Sequence, residues 1–207
     1  MSQEPARQNA LLDTGSDWRP PVPFTLDDWA RMPEDEPGEF IDGCLEEEEM
    51  PDARHEVVVM WLARVVGNWL EDLGDGFILG SEAKYQVLST KGRKPDATIF
   101  FPGHSPAPQG LLREPPDIAI EVVSPSPRDM RRDRIEKLGE YASFGIRWYW
   151  IVDPQLRSFE VLELRDRTYA HVATSTRGRL AVPGCPSLIL DLDALWSKLD
   201  RLDSKPG

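Results

Sequence analysis

Between residues 51 and 73 the apolar side chains Val58, Trp61, Leu62, Val65, Val66, Trp69 and Leu73 recur at spacings of three and four. A helix gathers such residues on one face. Asp52 supplies an N-cap and Gly74-Asp75-Gly76 a stop, so a long amphipathic helix is expected. Beyond it the pattern changes to short strand-like runs at 77–79, 83–88, 95–101 and 117–123, the last two separated by a Pro/Gly-rich loop over 102–116. A second helix is expected over 127–144, opened by Ser126 at the N-cap, Pro127 at the first turn and Asp129 in a capping-box position. Consecutive strands at 148–152, 158–164 and 168–173 follow, turned at Asp153-Pro154 and Arg165-Asp166, then a short strand near 188–190 and a terminal helix from Asp191.

Upstream, Thr25 caps a short helix whose first turn carries Asp27 and Asp28. Residues 39–43 and 44–49 read as a hairpin turning on Asp42-Gly43, with the acidic run 46–49 a solvated strand or loop. Residues 1–22 show no apolar period and run into Pro20, Pro21, Val22 and Pro23, so an extended or disordered arm is expected ahead of a domain over 23–207. Strands mixed with two principal helices, without regular βα alternation, give an α/β fold of the mixed α+β kind.

The strands on either side of the 102–116 loop bear on chemistry. Paired as an antiparallel hairpin, they put Ala97, Ile99 and Phe101 on the same face as Ile118, Ile120 and Val122. Asp96 and Glu121 then lie together on the opposite face. Two carboxylates held side by side repel each other unless a cation or a proton intervenes. Hard oxygen ligands suit Mg²⁺, and water held there is a ready nucleophile for phosphodiester cleavage. The competing view is that the strands do not pair in this register, or that both acids simply face solvent.

On a helical wheel of about 100° per residue, Ile135, Leu138 and Ala142 form the apolar stripe of the second helix, and Lys137 falls on its flank between Tyr141 and Phe144. Such a lysine either snorkels to solvent or reaches the carboxylate pair, with Asp133 one turn earlier able to hold it. Arg128, Arg131, Arg132 and Arg134 are candidate phosphate contacts, offset by Asp129, Asp133 and Glu136.

Pro95-Asp96, the run 116–126 containing Glu121, the Asp133…Lys137…Tyr141 spacing, and Gly145 with Tyr149-Trp150-Ile151-Val152-Asp153-Pro154 resemble the Uma-type restriction endonuclease family of the PD-(D/E)XK nuclease superfamily. Glu39-Phe40-Ile41-Asp42-Gly43 and His55 are similar to its N-terminal signature. The resemblance spans roughly 24–195 and implies a restriction-endonuclease-like central mixed sheet flanked by helices. It implies that Asp96 and Glu121 ligate Mg²⁺, or Mn²⁺, with the backbone carbonyl of Val122 in the ligand set. The superfamily's lysine stands two residues after the acid, where this chain has Val123; the resemblance places it on the following helix, at Lys137. Glu39, His55 and Asp133 are supporting candidates. Two departures are visible: the segment 126–133 is slightly long, and Glu56 stands where the family often has glutamine.

The implied activity is a Mg²⁺-dependent endonuclease acting on nucleic acid, with DNA the expected substrate. The alternative is a catalytically silent nuclease-fold protein in an interaction or regulatory role. Charge bears on both: residues 1–75 hold 19 acids against 5 bases, while 76–207 hold 17 against 19. The acidity thus precedes the catalytic stretch, where it suits a protein partner or a self-restraining arm. Aromatic residues around 148–150, taken as exposed, suggest a homodimer. The N-terminus lacks the apolar core of a signal peptide, and no apolar run reaches membrane-spanning length. Cys44 and Cys185 read as two reduced thiols, and a cytoplasmic setting is expected. No Gly-x-Ser-x-Gly, Cys/His cluster or phosphate-binding glycine motif points to another chemistry.

Overall fold

The computed structural model describes residues 24–33, 38–46, 51–126 and 131–204. The expected arm over 1–22, the acids 47–49, and Pro127, Arg128 and Asp129 of the expected helix start lie outside the described residues.

Thr25 caps helix α1 (Leu26–Arg31) through a reciprocal capping box with Asp28. Strands β1 (Glu39–Ile41) and β2 (Cys44–Glu46) pair antiparallel around Asp42 and Gly43, both at positive φ (48° and 88°), as a two-residue hairpin turn requires. Helix α2 (Ala53–Leu73) starts under Asp52, whose carboxylate accepts the N–H groups of Arg54 and His55, and stops at Gly74 in the left-handed region. The remaining elements are β3 (Phe77–Gly80), β4 (Tyr85–Leu88), β5 (Lys91–Arg93), β6 (Ala97–Phe100), β7 (Ile118–Val122), a π-turn (Arg132–Glu136) and α3 (Lys137–Phe144). β8 (Trp148–Asp153), β9 (Ser158–Arg165), β10 (Thr168–Ser175), β11 (Arg179–Ala181), β12 (Ile189–Asp191) and α4 (Leu192–Asp203) follow.

Six strands form the central sheet in the order β10-β9-β8-β7-β6-β3. Its pairs are antiparallel except β7 with β8, whose parallel register needs the crossover through α3. The sheet is therefore mixed, as expected. A four-stranded sheet ordered β2-β1-β5-β4 stands beside it, and β11 pairs with β12. Neither β5 nor β11 was anticipated; each has only three residues, too few to show a period.

All six residues assigned to the buried face of the β6–β7 pair do pack together, joined by Val58, Trp61, Leu62, Val66 and Trp69 of α2 and Leu192, Leu195 and Trp196 of α4. Each such side chain contributes about 1.5–3 kcal/mol by leaving water. The other face of the sheet is buried too: Phe100, Ala119, Val123, Tyr149, Ile151 and Leu162 pack with Tyr85, Tyr141 and Ile146. Trp148, Tyr149 and Trp150, taken as exposed from the sequence, are 5%, 0% and 0% exposed, so they offer no dimer surface. β8 lies inside the sheet and is covered on both faces, which is why its run is apolar throughout.

The smaller sheet rests on Trp29, fully buried, with its indole N–H donating to the Gly38 carbonyl at 3.1 Å. A Cβ at Gly92 would stand 2.4 Å from the Trp29 ring. Gly92→Ala should cost about 1–3 kcal/mol, lowering Tm by about 2–4 °C for each kcal/mol in a domain of this size. A thermal melt within 1 °C or so of wild type would show that the contact relaxes at no cost. Cys44 is exposed and Cys185 buried, both free, and burial pushes the Cys185 thiol up to about 12. Among the described residues, no helix is long and apolar enough to cross a membrane.

Candidate active site

Strand register sets the site. Ala97 pairs with Ile120, Thr98 with Ala119 and Ile99 with Ile118, so Asp96 follows opposite Glu121 at the next step. The Val122 N–H donates to Asp96 Oδ2 at 2.6 Å. His55, in the capped first turn of α2, places Nε2 3.1 Å from Asp96 Oδ1. Burial works against the His55 imidazolium, but the hydrogen bond and charge of Asp96 outweigh it and leave the pKa raised. The Asp96 side chain keeps 18% exposure, so the site opens here.

Glu121 is 3% exposed. Its Oε1 accepts from the Tyr141 hydroxyl at 2.6 Å, and its Oε2 faces Lys137 Nζ at 2.9 Å. Burial holds its carboxyl well above the ordinary range; Lys137 opposes that rise, while Asp133, Asp96 and Glu39 add to it. Lys137 is 1% exposed and does not snorkel. Beyond Glu121 it faces Asp133 Oδ1 at 3.4 Å and Glu39 Oε1 at 3.7 Å.

The helix wheel put Lys137 on a flank, and the structure corrects it. Residues 132–136 are wound as a π-turn, in which the Lys137 N–H reaches the Arg132 carbonyl five residues back. The wheel's phase fails through this wider turn. Ile135, assigned to the apolar stripe, is 65% exposed, whereas Arg132 and Asp133 are buried. Lys137 lies within the buried face, beside Glu140 and Tyr141. The segment noted as slightly long thus runs into a π-turn.

Glu39, at the start of β1, is buried against the same lysine. Its Oε2 takes Arg93 Nη1 at 2.6 Å and its Oε1 the Lys94 N–H at 2.9 Å. Burial would raise its pKa, but Lys137, Arg93 and the Lys94 N–H bring it below the ordinary value. Arg93, also 1% exposed, makes a two-pronged contact with Glu140 through Nε at 2.7 Å and Nη2 at 2.9 Å. Sequence reasoning missed Arg93, Glu140 and the contact of Tyr141. Arg93 sits in Lys91-Gly92-Arg93-Lys94, which reads as a solvated basic loop; only its place just before Pro95-Asp96 hinted otherwise.

The arginines proposed for phosphate separate. Arg134 is committed to Glu160 at 2.7 Å and Asp153 at 3.3 Å. Arg131 is exposed, and with Arg132, Glu46 and Glu136 it lines a hollow of about 250 Å³, two bases against two acids. Arg128 lies outside the described residues.

The residues fit a hard divalent ion. Glu39, Asp96, Glu121 and Asp133 converge, yet Glu121 and Asp133 both keep raised pKa values, so the local cations do not offset their burial and mutual repulsion. Among the described residues, Asp133 Oδ1 has no hydrogen-bond partner, though Lys137 Nζ faces it at 3.4 Å. Among the described residues, no three His, Cys, Asp or Glu side chains form a ready metal cage. Mg²⁺ does not need one, since it takes one or two carboxylates and keeps several waters.

No curated protein matches the sequence. Among solved structures, the chain is similar to a crystal structure described as "a putative nuclease belonging to DUF820" from Anabaena variabilis ATCC 29413, at 20% identity and a TM-score of 0.67. The match covers 86% of this chain and 99% of that one, and it shows a shared fold. The sequence model of Uma2, described as "Putative restriction endonuclease", matches residues 25–193. With that match over most of its length, the chain belongs to the Uma2 restriction endonuclease family.

Proposed function

We propose that the protein is a Mg²⁺-dependent endonuclease that hydrolyses phosphodiester bonds of nucleic acid, DNA being the expected substrate, in the cytoplasm. The observation that carries this reading is a fully buried lysine 2.9 Å from a carboxylate that stands beside a second, partly open one. Burying an ammonium among acids carries a desolvation cost, and buried, mutually perturbing ionisable groups of this kind cluster at functional sites.

In this reading Asp96 and Glu121 hold the ion. Bound there, Mg²⁺ would supply a Lewis acid for the phosphoryl oxygen and lower the pKa of attacking water. Lys137, held by Asp133 and Glu39, presents a fixed positive charge to the developing charge on phosphate, with no reorganisation at the moment of reaction. His55 steadies Asp96 from the α2 side.

Calorimetric titration with Mg²⁺ and Mn²⁺, alongside plasmid and single-strand cleavage, tests the assignment. Wild type is expected to bind at millimolar concentrations or below (on the order of carboxylate-held Mg²⁺) and to nick, with chelation abolishing cleavage. Asp96→Ala should lose both. Wild-type protein that binds no divalent ion sinks the proposal. Binding without cleavage of any substrate would favour the catalytically silent alternative.

A further inference from the structure

Tyr141 is fully buried, and the chemistry just described gives it no task. Its hydroxyl donates to Glu121 Oε1 at 2.6 Å, while Lys137 holds Oε2 at 2.9 Å. Residues 137 and 141 are one turn apart on α3, so a single helix grips both oxygens of a carboxylate carried by the sheet. The ring is itself tightly packed. It meets Tyr149 edge-on, with centroids 5.2 Å apart and planes at 88°, and the Tyr149 hydroxyl donates to the Asp133 carbonyl at 2.8 Å. A buried tyrosine hydroxyl needs a partner, and the one it meets here is the carboxylate that Lys137 also holds.

We propose that Tyr141 is a positioning residue for the metal site: its O–H fixes the carboxylate plane of Glu121, so that the acid meets the ion and Lys137 in one orientation. This rests on the reading of Glu121 as a metal ligand. The terminal torsion of a glutamate is broad, and losing one of two clamps frees it. Donors that orient a ligand in this way are worth about 10–100-fold in metal affinity.

The test is calorimetric titration of the full chain with MnCl₂, without nucleic acid. Tyr141→Phe, which keeps the ring and removes the oxygen, is expected to weaken Mn²⁺ binding about 10–100-fold with an unchanged circular dichroism spectrum. Tyr169→Phe is the control. It removes a comparable bond, from hydroxyl to the Ile146 carbonyl at 2.6 Å, away from the metal ligands, and should leave Mn²⁺ affinity at the wild-type value. Equal affinity in wild type and Tyr141→Phe overturns the proposal. So does an equal loss in both variants, which would assign the effect to packing.

Wild type that binds no Mn²⁺ overturns the metal reading and this one with it. Binding by wild type with Tyr141→Phe unaffected overturns this one alone. Should Tyr141→Phe fail to fold, 3-fluorotyrosine introduced at position 141 of the otherwise native chain answers the same question. Its fluorine resonance is expected to move saturably with Mg²⁺, and a resonance unmoved at saturation overturns the proposal.

Discussion

Lys137→Met is expected to lower cleavage by about 10²–10³-fold, to keep Mg²⁺ binding, and to be far less stable than wild type when the metal is removed. The side chains are similar in length, so packing is nearly preserved and the charge is what goes. Lys137 is the nearest cation to Glu121 and faces Asp133 and Glu39 as well. Taking it away removes the cation that faces buried Glu121, at a cost of about 3–5 kcal/mol. A divalent ion at the same carboxylates restores positive charge, and binding to the folded state stabilises it by mass action. Mg²⁺ should therefore raise Tm more in the variant than in wild type, without restoring cleavage. Differential scanning calorimetry with and without Mg²⁺, paired with a nicking assay, reads both effects. A Lys137→Met protein that cleaves at the wild-type rate would remove the lysine from the reaction.

Arg93→Met should be strongly destabilising, although Arg93 is not one of the proposed ligands. The guanidinium is 1% exposed and bridges Glu39 on β1 to Glu140 on α3, both buried. Removing it leaves Glu39 with Lys137 at 3.7 Å and Glu140 with Lys91 at 3.5 Å, both more distant cations, and severs a tie between the small sheet and the helix that bears Lys137. The cost is again about 3–5 kcal/mol, or about 6–20 °C in Tm at this chain length. Arg93→Lys should rescue little, because an ammonium cannot reproduce the planar fork that engages both acids. A double substitution, Arg93→Met with Glu140→Gln, should recover part of the loss by removing one of the two buried charges. If Arg93→Lys melts with wild type, the bidentate geometry is not what matters here.

Much of this could be read from residue order, and the reasons are specific. The α2 stripe from Val58 to Leu73 shows over about four turns, and helix length makes period unmistakable. The β6–β7 register follows from side-chain parity, because slipping by one residue would turn Ile118 and Ile120 away from α2. That register alone brought Asp96 to Glu121. The phase of Lys137 was hidden, because a wheel assumes one helical pitch and the π-turn changes it just upstream. Arg93 was hidden for another reason: a three-residue strand has no period, and a basic run carries no mark of burial. The aromatic run at 148–150 misled because an interior strand covered on both faces is apolar throughout. Glu39 and His55 were candidates by resemblance only; the structure brings both against the central residues.

The placement of Lys137 on a helix has a consequence for how such an enzyme could be silenced. A lysine two residues beyond Glu121 would be tied to it by the covalent pleat of one strand, present whenever the strand is present. Here the two groups belong to elements 16 residues apart in sequence, joined only by how α3 lies on the sheet. Fraying of that one short helix would withdraw the ammonium while the paired strands still held Asp96 beside Glu121. In the proposed reading such an opening would withdraw the Tyr141 hydroxyl together with the ammonium, stopping cleavage and loosening the metal site, while the Asp96–Glu121 pairing stayed with the strands; amide exchange along α3 would report that opening apart from the strands.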